Sequence, residues 1–156
     1  MTDATGEGSD AMATLHDILE NKGRTIYKTR ADATVREAVA AMSQARVGAL
    51  PVTEADQPVG IFSERDVLAR VILEGRSPET TAVGDVMTED VVCISMAASP
   101  EQAMAVMTER RVRHLPVVLD RKLVGLVSIG DLVRWASQQQ KYEVEMLRDY
   151  LAGRYA

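Results

Sequence analysis

Two short segments of the chain combine a hydroxyl and a carboxylate at the same spacing, Ser63-Glu-Arg-Asp66 and Ser128-Ile-Gly-Asp131. At a helix start such a pair forms a cap, because the hydroxyl accepts from free backbone N–H groups and the carboxylate opposes the helix dipole. The same helix start can offer N–H groups and a hydroxyl to a phosphate, while the carboxylate accepts hydrogen bonds from a ribose diol. The sequence leaves both roles open, and they are compatible.

Basic side chains distinguish the two halves of the chain. The segment Arg111-Val-Arg-His114 corresponds to Arg46-Val-Gly-Ala49, so only the later segment has Arg113 and His114. Arginine binds phosphate oxygens through a two-pronged fork, and histidine can donate one hydrogen bond or, if protonated, supply a charge. Arg65 is a further candidate for an anion contact. The alternative for Arg113 and His114 is a solvated edge of a sheet, and the alternative for Arg65 is a salt bridge with Glu64 or another surface carboxylate.

These segments recur because the chain repeats itself. Residues 33–70 align with residues 98–135 at a constant offset of 65 and without a gap, so that Leu50-Pro-Val52 falls on Leu115-Pro-Val117. Upstream, Asp17-Ile-Leu19 resembles Asp85-Val-Met87 at an offset of 68. The alignment predicts one structural unit used twice.

Each unit is predicted to run strand, helix, strand, turn, strand, helix. Thr34 and Ser99 each begin a helix with a capping box. The first strand is predicted over Thr25 to Thr29, and the two hairpins pair Ala49–Val52 with Val59–Phe62 and His114–Leu119 with Leu123–Val127.

The predicted fold class is α/β (α+β), with two βαββα repeats related by a pseudo-twofold axis and packed sheet to sheet. A unit of about 60 residues buries too little surface to be comfortably stable alone, so the repeats should share a core. Since no Gly or Pro follows Asp131 until Gly153, the C-terminus is predicted to be one long helix or two collinear ones. The predicted organisation is a disordered tail over 1–12, repeat one over 13–74, a linker over 75–82, repeat two over 83–136 and a C-terminal helix over 137–156.

Composition excludes several classes of function. The 156 residues include 18 basic and 23 acidic side chains, a net charge of −5, which disfavours general binding of nucleic acid. No apolar run reaches the roughly 20 residues that span a bilayer, and residues 1–12 lack a signal region, so the expected location is the cytoplasm, without a membrane partner. One cysteine, Cys93, and two distant histidines predict no disulfide framework, no metal site and an inert thiol.

Catalysis is not expected of this chain. The sequence has no nucleophile elbow with a Ser/His/Asp set, no glycine-rich phosphate loop and no close cluster of metal ligands. These absences favour a binding protein over an enzyme.

With both Leu-Pro-Val strands and both Val-Gly-hydrophobic-hydrophobic-Ser-x-x-Asp segments in place, residues 13–136 closely resemble a tandem pair of cystathionine-β-synthase (CBS) domains. The resemblance implies two clefts between the repeats that hold AMP, ADP, ATP, S-adenosylmethionine or, in some stand-alone bacterial members, NAD(H), with no obligatory cofactor. It also implies a homodimer shaped like a flat disc.

Residue roles follow from the same resemblance. It implies that Asp66 and Asp131 bind ribose, with Ser63 and Ser128 beside them. Phosphates of the Asp66 nucleotide would meet Arg113 and His114, those of the Asp131 nucleotide would meet Arg65, and the adenines would lie against Ile61, Val47, Val112 and Leu126.

Two functions remain open at this point. One is a sensor of adenine nucleotides, with AMP or NAD(H) as leading ligands, that acts on an unnamed protein partner. The alternative is a structural dimerisation adaptor in which the four Ser and Asp residues are only helix caps. In either case the C-terminal helix is expected to pack on its own module or on a dimer mate.

Overall fold

The computed structural model describes residues 13–23 and 25–152, and the tail predicted over 1–12 lies outside the described residues. It contains two three-stranded sheets of the same topology. In each, a short first strand runs parallel to the middle strand, and the third strand is antiparallel to it. Lobe one is built on β1 (Thr29–Arg30), β2 (Ala49–Glu54) and β3 (Gln57–Ser63), and lobe two on β4 (Ile94–Ser95), β5 (His114–Leu119) and β6 (Lys122–Ser128).

Within residues 13–23 and 25–152, six helical segments surround these sheets. The two predicted capping boxes are confirmed, since the Thr34 and Ser99 hydroxyls each accept from a backbone N–H at 3.1 Å. The helix after β3 widens into a π-helix over Val67–Ile72. The helices are α1 (Leu15–Lys22), α2 (Val35–Ala45), α3 (Glu64–Asp66, continued by the π-helix), α4 (Val83–Val86), α5 (Pro100–Arg110) and α6 (Ile129–Leu151).

Each of the two hydrophobic cores contains a helix from the other half of the chain. Leu15 and Ile18 of α1 pack in the core of lobe two, whereas Val83 and Val86 of α4 pack in the core of lobe one. The predicted repeats follow the order of the chain, whereas the two cores exchange these helices. The reason is physical, because an offset between repeats orders segments along the chain but does not say on which sheet a helix packs.

Two glycines allow these helices to approach the sheets. A Cβ at Gly125 would lie 2.8 Å from the Leu19 Cδ2 of α1, and a Cβ at Gly60 would lie 2.5 Å from the Met87 Sδ that follows α4. Both distances are shorter than real Cβ contacts. The Val-Gly pair that recurs in the sequence thus marks the place where each crossing helix meets the third strand of a sheet.

The lobes pack sheet to sheet, as the predicted fold class requires. β3 lies against β6, and the Leu123 N–H donates to the Asp56 carbonyl at 3.0 Å. The predicted first strand is longer than the observed one, since of Thr25 to Thr29 only Thr29 pairs with β2. Residues 25–27 instead line a space between the lobes, where β2 offers them no backbone partner.

The predicted long C-terminal helix is confirmed. α6 begins directly after β6 and continues to Leu151, so the predicted boundary at residue 137 falls inside one continuous helix. Leu132 is fully buried in lobe two, but every residue from 137 to 145 is exposed. The second half of the helix therefore extends away from the lobe that holds its start.

Candidate functional site

A cleft of about 490 Å³ lies between the lobes, and we call it the first cleft. Lobe one supplies the end of β3 and the start of α3, and lobe two supplies the segment before β5. Its walls combine apolar, hydroxyl and cationic side chains, as binding pockets for small polar ligands do. The residues that matter for its chemistry are Ile61, Ser63, Arg65, Thr88, Arg111, Val112, Arg113 and His114.

Three arginines line the first cleft, and they outnumber the two carboxylates, Glu64 and Asp90, that line it as well. Arg65 comes from lobe one, while Arg111 and Arg113 come from lobe two. Within residues 13–23 and 25–152, none of the three forms an ion pair. Unpaired guanidinium groups that converge from two lobes form a local anion site in a chain of net negative charge.

The placement of Arg65 corrects one prediction. Arg65 was expected to serve the Asp131 site, but it lines the same cleft as Ser63, Arg113 and His114. It does so because α3 begins at the end of β3, on the side of lobe one that faces the segment before β5. Arg113 and His114, predicted to share a site with Asp66, line this cleft together with Ser63, and their contact with a phosphate stays a prediction.

Asp66 lies behind the wall of the first cleft. It is only 5% exposed, and one of its oxygens accepts from the Ser63 backbone N–H at 3.0 Å and from the Ser63 hydroxyl at 3.2 Å. The other oxygen accepts from the Thr88 hydroxyl at 3.1 Å. Asp66 therefore meets the cleft through two neutral hydroxyls, and a ligand must displace one of them to reach its carboxylate.

His114 has an uncharged ring near neutral pH. Burial lowers the pKa of His114, and the charges of Lys22 and Arg113 lower it further against the opposing effect of Asp131 and Glu64. Of the two roles left open for His114, the structure thus favours a neutral hydrogen-bonding group over a second cation.

The counterpart of the first cleft on the other side of the lobes is smaller, and we call it the second cleft. Its volume is about 150 Å³, and no arginine is among its described lining residues. At the offset of 65 the residues equivalent to Arg113 and Arg65 are Gly48 and Gly130, and Gly48 itself lines the first cleft. Val47 and Leu126, both predicted to contact adenine, line this second cleft together with Lys22, Thr25, Ile26, Tyr27 and Ala49.

Asp131 does not line the second cleft. It lies on an outer groove between α1 and α6, with Lys22 between it and the cleft. Its carboxylate accepts from the Lys22 Nζ at 2.7 Å and from the Ser128 backbone N–H at 2.9 Å. Burial raises the pKa of Asp131, but the contacts with Lys22 and Ser128 outweigh it and leave the pKa below its usual value.

Both Ser-x-x-Asp segments form helix caps. The Ser63 and Ser128 hydroxyls accept from the Asp66 and Asp131 backbone N–H groups at 3.3 and 3.1 Å, and each Asp accepts in return from the serine N–H. The capping role is therefore confirmed at both sites. It leaves each hydroxyl a second lone pair with which to meet a ligand.

Two residues of this region escaped the sequence analysis, Thr88 and Lys22. At the offset of 68 Thr88 aligns with Glu20 and Lys22 aligns with Asp90, so the alignment does not pair Thr88 with Lys22, and only their contacts with the two carboxylates make them comparable. Their types differ between the repeats, and a search for shared motifs passes over such positions.

Three other predictions concern a metal site, a membrane-spanning helix and the thiol of Cys93. Among the described residues, no three His, Cys, Asp or Glu side chains gather as a metal site requires. Within the same ranges, no helix combines the length and apolar character needed to cross a membrane. Cys93 is exposed and directly precedes β4, and partial burial of its thiol raises the pKa, which disfavours the reactive thiolate.

Comparison with known proteins identifies the family. The CBS domain profile matches residues 24–73 and 83–138. The mitochondrial CBS domain-containing protein CBSX3 of Arabidopsis thaliana is 38% identical over 151 residues, which cover 91% of this chain and 73% of that protein. The structure of a protein with CBS domains from Burkholderia ambifaria is 41% identical with a TM-score of 0.73, and the match covers 80% of this chain and 93% of that one.

A more distant structure agrees in fold alone. It is a CBS domain pair in complex with 5′-methylthioadenosine and S-adenosyl-L-methionine, 20% identical with a TM-score of 0.72 over 82% of this chain and 98% of that one. Both repeats, both sheets and both capped helix starts agree with the profile matches. The chain therefore belongs to the CBS domain family as a tandem pair, a class of module that is generally regulatory.

Proposed function

We propose that this chain is a non-catalytic cytoplasmic sensor that binds an adenine nucleotide in the first cleft, with AMP and NAD(H) as the leading ligands. The observation that carries the proposal is the convergence of Arg65, Arg111 and Arg113, none of them ion-paired among the described residues, beside the Ser63 and Thr88 hydroxyls. The related pair that was solved with two adenosine compounds supports the same ligand class.

Each part of a nucleotide has a matching wall in the first cleft. The adenine would lie between Ile61 and Val112, and the phosphates would meet the arginines. The ribose diol would compete with the Ser63 and Thr88 hydroxyls for Asp66, an exchange of one neutral hydroxyl for another that costs little. The volume of about 490 Å³ lies within the range of about 300–1,000 Å³ that is typical of small-molecule pockets.

Regulation would follow from the position of the first cleft. Because its walls come from both lobes, a bound nucleotide contacts both and favours the lobe arrangement that closes on it. A protein partner that binds one arrangement more tightly than the other would then respond to the nucleotide.

Thermal unfolding tests the proposal. A ligand that binds only the native state stabilises it by about 2.7 kcal/mol at 100 times its Kd, which for a chain of this length raises Tm by about 5–11 °C. We expect AMP or NADH to produce such a shift in the wild type, and Asp66→Asn to reduce it. The matched control is Asp32→Asn, since Asp32 is an exposed carboxylate paired only with Arg30. An unchanged Tm with millimolar AMP, ATP and NADH would refute the sensor.

The second candidate is the dimerisation adaptor, which an exposed apolar surface favours. Leu68 in the π-helix and Val133 in α6 occupy equivalent positions after the two caps, and they are 63% and 55% exposed. Leu73 and Ile72 extend this surface in lobe one, with exposures of 82% and 59%. A homodimer would bury such side chains, and we propose one for both candidate functions.

Native mass spectrometry tests the homodimer. We expect the wild type at twice the chain mass and Leu68→Glu at the chain mass, because a charge cannot be buried unpaired in an apolar interface. The control is Glu101→Gln, an exposed change in the first turn of α5. A Leu68→Glu variant that remains dimeric would show that this surface is not the interface.

A further inference from the structure

Lys22, the last residue of α1, separates the second cleft from Asp131. Its Nζ donates to the Asp131 Oδ2 at 2.7 Å and to the Leu126 carbonyl at 2.7 Å. Lys22 and Leu126 line the second cleft, whereas Asp131 lines the outer groove on the far side of the ammonium group. The lysine therefore occupies the path by which a molecule in the cleft would reach the carboxylate.

By its contacts, though not by the offset between the repeats, Lys22 takes the place that Thr88 has in lobe one. There, the carbonyl of Ile61, the residue equivalent to Leu126, accepts from the Thr88 backbone N–H at 2.8 Å. In lobe two the equivalent carbonyl accepts from the side chain of Lys22 instead. The two lobes thus use a hydroxyl residue and a charged lysine for the same task, which is to join the crossing segment to the third strand and to the Asp.

The two carboxylates differ sharply in what holds them. Besides its cap contacts, Asp131 is bound by two cations, Lys22 at 2.7 Å and Arg134 at 3.2 Å. Asp66 is bound by neutral hydroxyls at 3.1–3.5 Å, and its nearest cation, Arg70, is 3.8 Å away. The acceptor is an ionised carboxylate at both sites, but the Lys22 ammonium group adds a charge on the donor and its bond is shorter, so a neutral diol displaces Lys22 less readily than it displaces Thr88.

The small volume of the second cleft is consistent with a lysine that occupies the path to Asp131. Its volume of about 150 Å³ equals about five water molecules of liquid and lies below the usual range of ligand pockets. The lysine stem forms part of its wall. Removing that stem and its charge would both enlarge the cleft and free one oxygen of Asp131.

We propose that Lys22 is an internal ligand of the second cleft, which it closes to nucleosides. This inference rests on the proposed function for its ligand class, and it makes the pair asymmetric, with one nucleotide per chain in the first cleft. The group that removal of Lys22 would free is the Asp131 carboxylate, which accepts hydrogen bonds from a diol, so the ligand that the second cleft would then accept is a nucleoside or another diol.

The experiment counts ligands by native mass spectrometry and measures their affinity by calorimetry. The protein is first saturated with AMP and then titrated with adenosine. We expect the wild type to bind one AMP per chain and no adenosine. Lys22→Ala should bind one adenosine in addition, with an affinity at least about tenfold above any residual wild-type binding, the factor expected when one competing charged contact is removed.

Two further variants complete the design. Lys28→Ala is the matched control, because Lys28 is a surface lysine whose carboxylate partner, Asp56, is itself 65% exposed. It should bind as the wild type does. Lys22→Ala combined with Asp131→Ala should lose the additional adenosine, which places that adenosine on the freed carboxylate.

The outcomes separate this inference from the proposed function. Adenosine bound by AMP-saturated wild type, or none bound by a folded Lys22→Ala variant, would overturn the role of Lys22 while the AMP count still stands. If AMP fails to bind the wild type but Lys22→Ala binds adenosine, the proposed function fails in the first cleft and the role of Lys22 holds. Binding of neither molecule by either protein would refute both.

Discussion

Leu15→Ala is expected to destabilise lobe two by about 2–5 kcal/mol, although residue 15 precedes lobe one in the chain. Leu15 is fully buried in the core of lobe two, and its backbone N–H donates to the Ala98 carbonyl at 2.8 Å. Truncating this side chain removes apolar contacts and leaves a cavity between α1 and the sheet, because the surrounding core relaxes only partly. Urea unfolding of the variant measures the loss.

The strands that lose hydrogen-exchange protection show whether α1 packs on lobe two or on lobe one. Hydrogen exchange should show reduced protection first in β5 and β6, with a smaller effect in β2 and β3. His16→Ala is the control on the same helix, since His16 is exposed, and it should change stability by no more than about 0.5 kcal/mol. Greater loss of protection in β2 and β3 than in β5 and β6 would contradict the crossed assignment of α1.

Arg113→Ala is expected to weaken AMP binding by about 10- to 100-fold and to leave adenosine binding in the first cleft unchanged. The guanidinium group lines this cleft and has no ion-pair partner among the described residues, so its charge is available to a phosphate. A hydrogen bond to a charged group contributes about 1.5–3 kcal/mol, which corresponds to that loss. Calorimetry with AMP and adenosine measures both affinities.

Two other arginine variants test whether the loss of AMP affinity is specific to the first cleft. Arg65→Ala should also weaken AMP binding, because Arg65 lines the same cleft from lobe one. Arg36→Ala is the control, since Arg36 is 72% exposed and faces Glu79 instead of the cleft. Equal losses for AMP and adenosine at Arg113→Ala would mean that this arginine shapes the cleft and does not bind the phosphate.

Local signals in the sequence predicted the elements of each lobe. Thr34 and Ser99 identified helix starts because a capping box lies within four residues of chain, and hairpins followed from short apolar runs on either side of a polar turn. The C-terminal helix followed from the absence of Gly and Pro. In each case the physical cause and the sequence pattern occupy the same few residues.

The sequence could not predict which segments meet across the molecule. Leu15 contacts a core whose strands lie about a hundred residues later, and no local pattern encodes that choice. Arg65 was assigned to the wrong cleft for the same reason, since its side of the lobe depends on how the two sheets face each other. Lys22 and Thr88 went unnoticed because their types differ between the repeats.

The sequence predicted the ligand-binding roles only in part. Ser63, Arg113 and His114 were predicted together and do line one cleft, whereas the contact of Asp131 with a ribose met an obstacle that only coordinates reveal. A motif specifies which groups a site can contain. Whether a neighbouring side chain already occupies them depends on packing.

The crossing of α1 and α4 has a consequence for how this protein folds. Each half of the chain carries a helix that packs in the core of the other lobe, but the two lobes differ in what they wait for. The core of lobe one is complete once α4 and Met87 have been made, whereas α1 must wait for the strands of lobe two near the other end of the chain. Contacts between residues so distant in sequence slow folding and bind the two halves into one cooperative transition. Global unfolding should thus involve both lobes together, and a half-folded intermediate would expose the sheet faces that the exchanged helices cover.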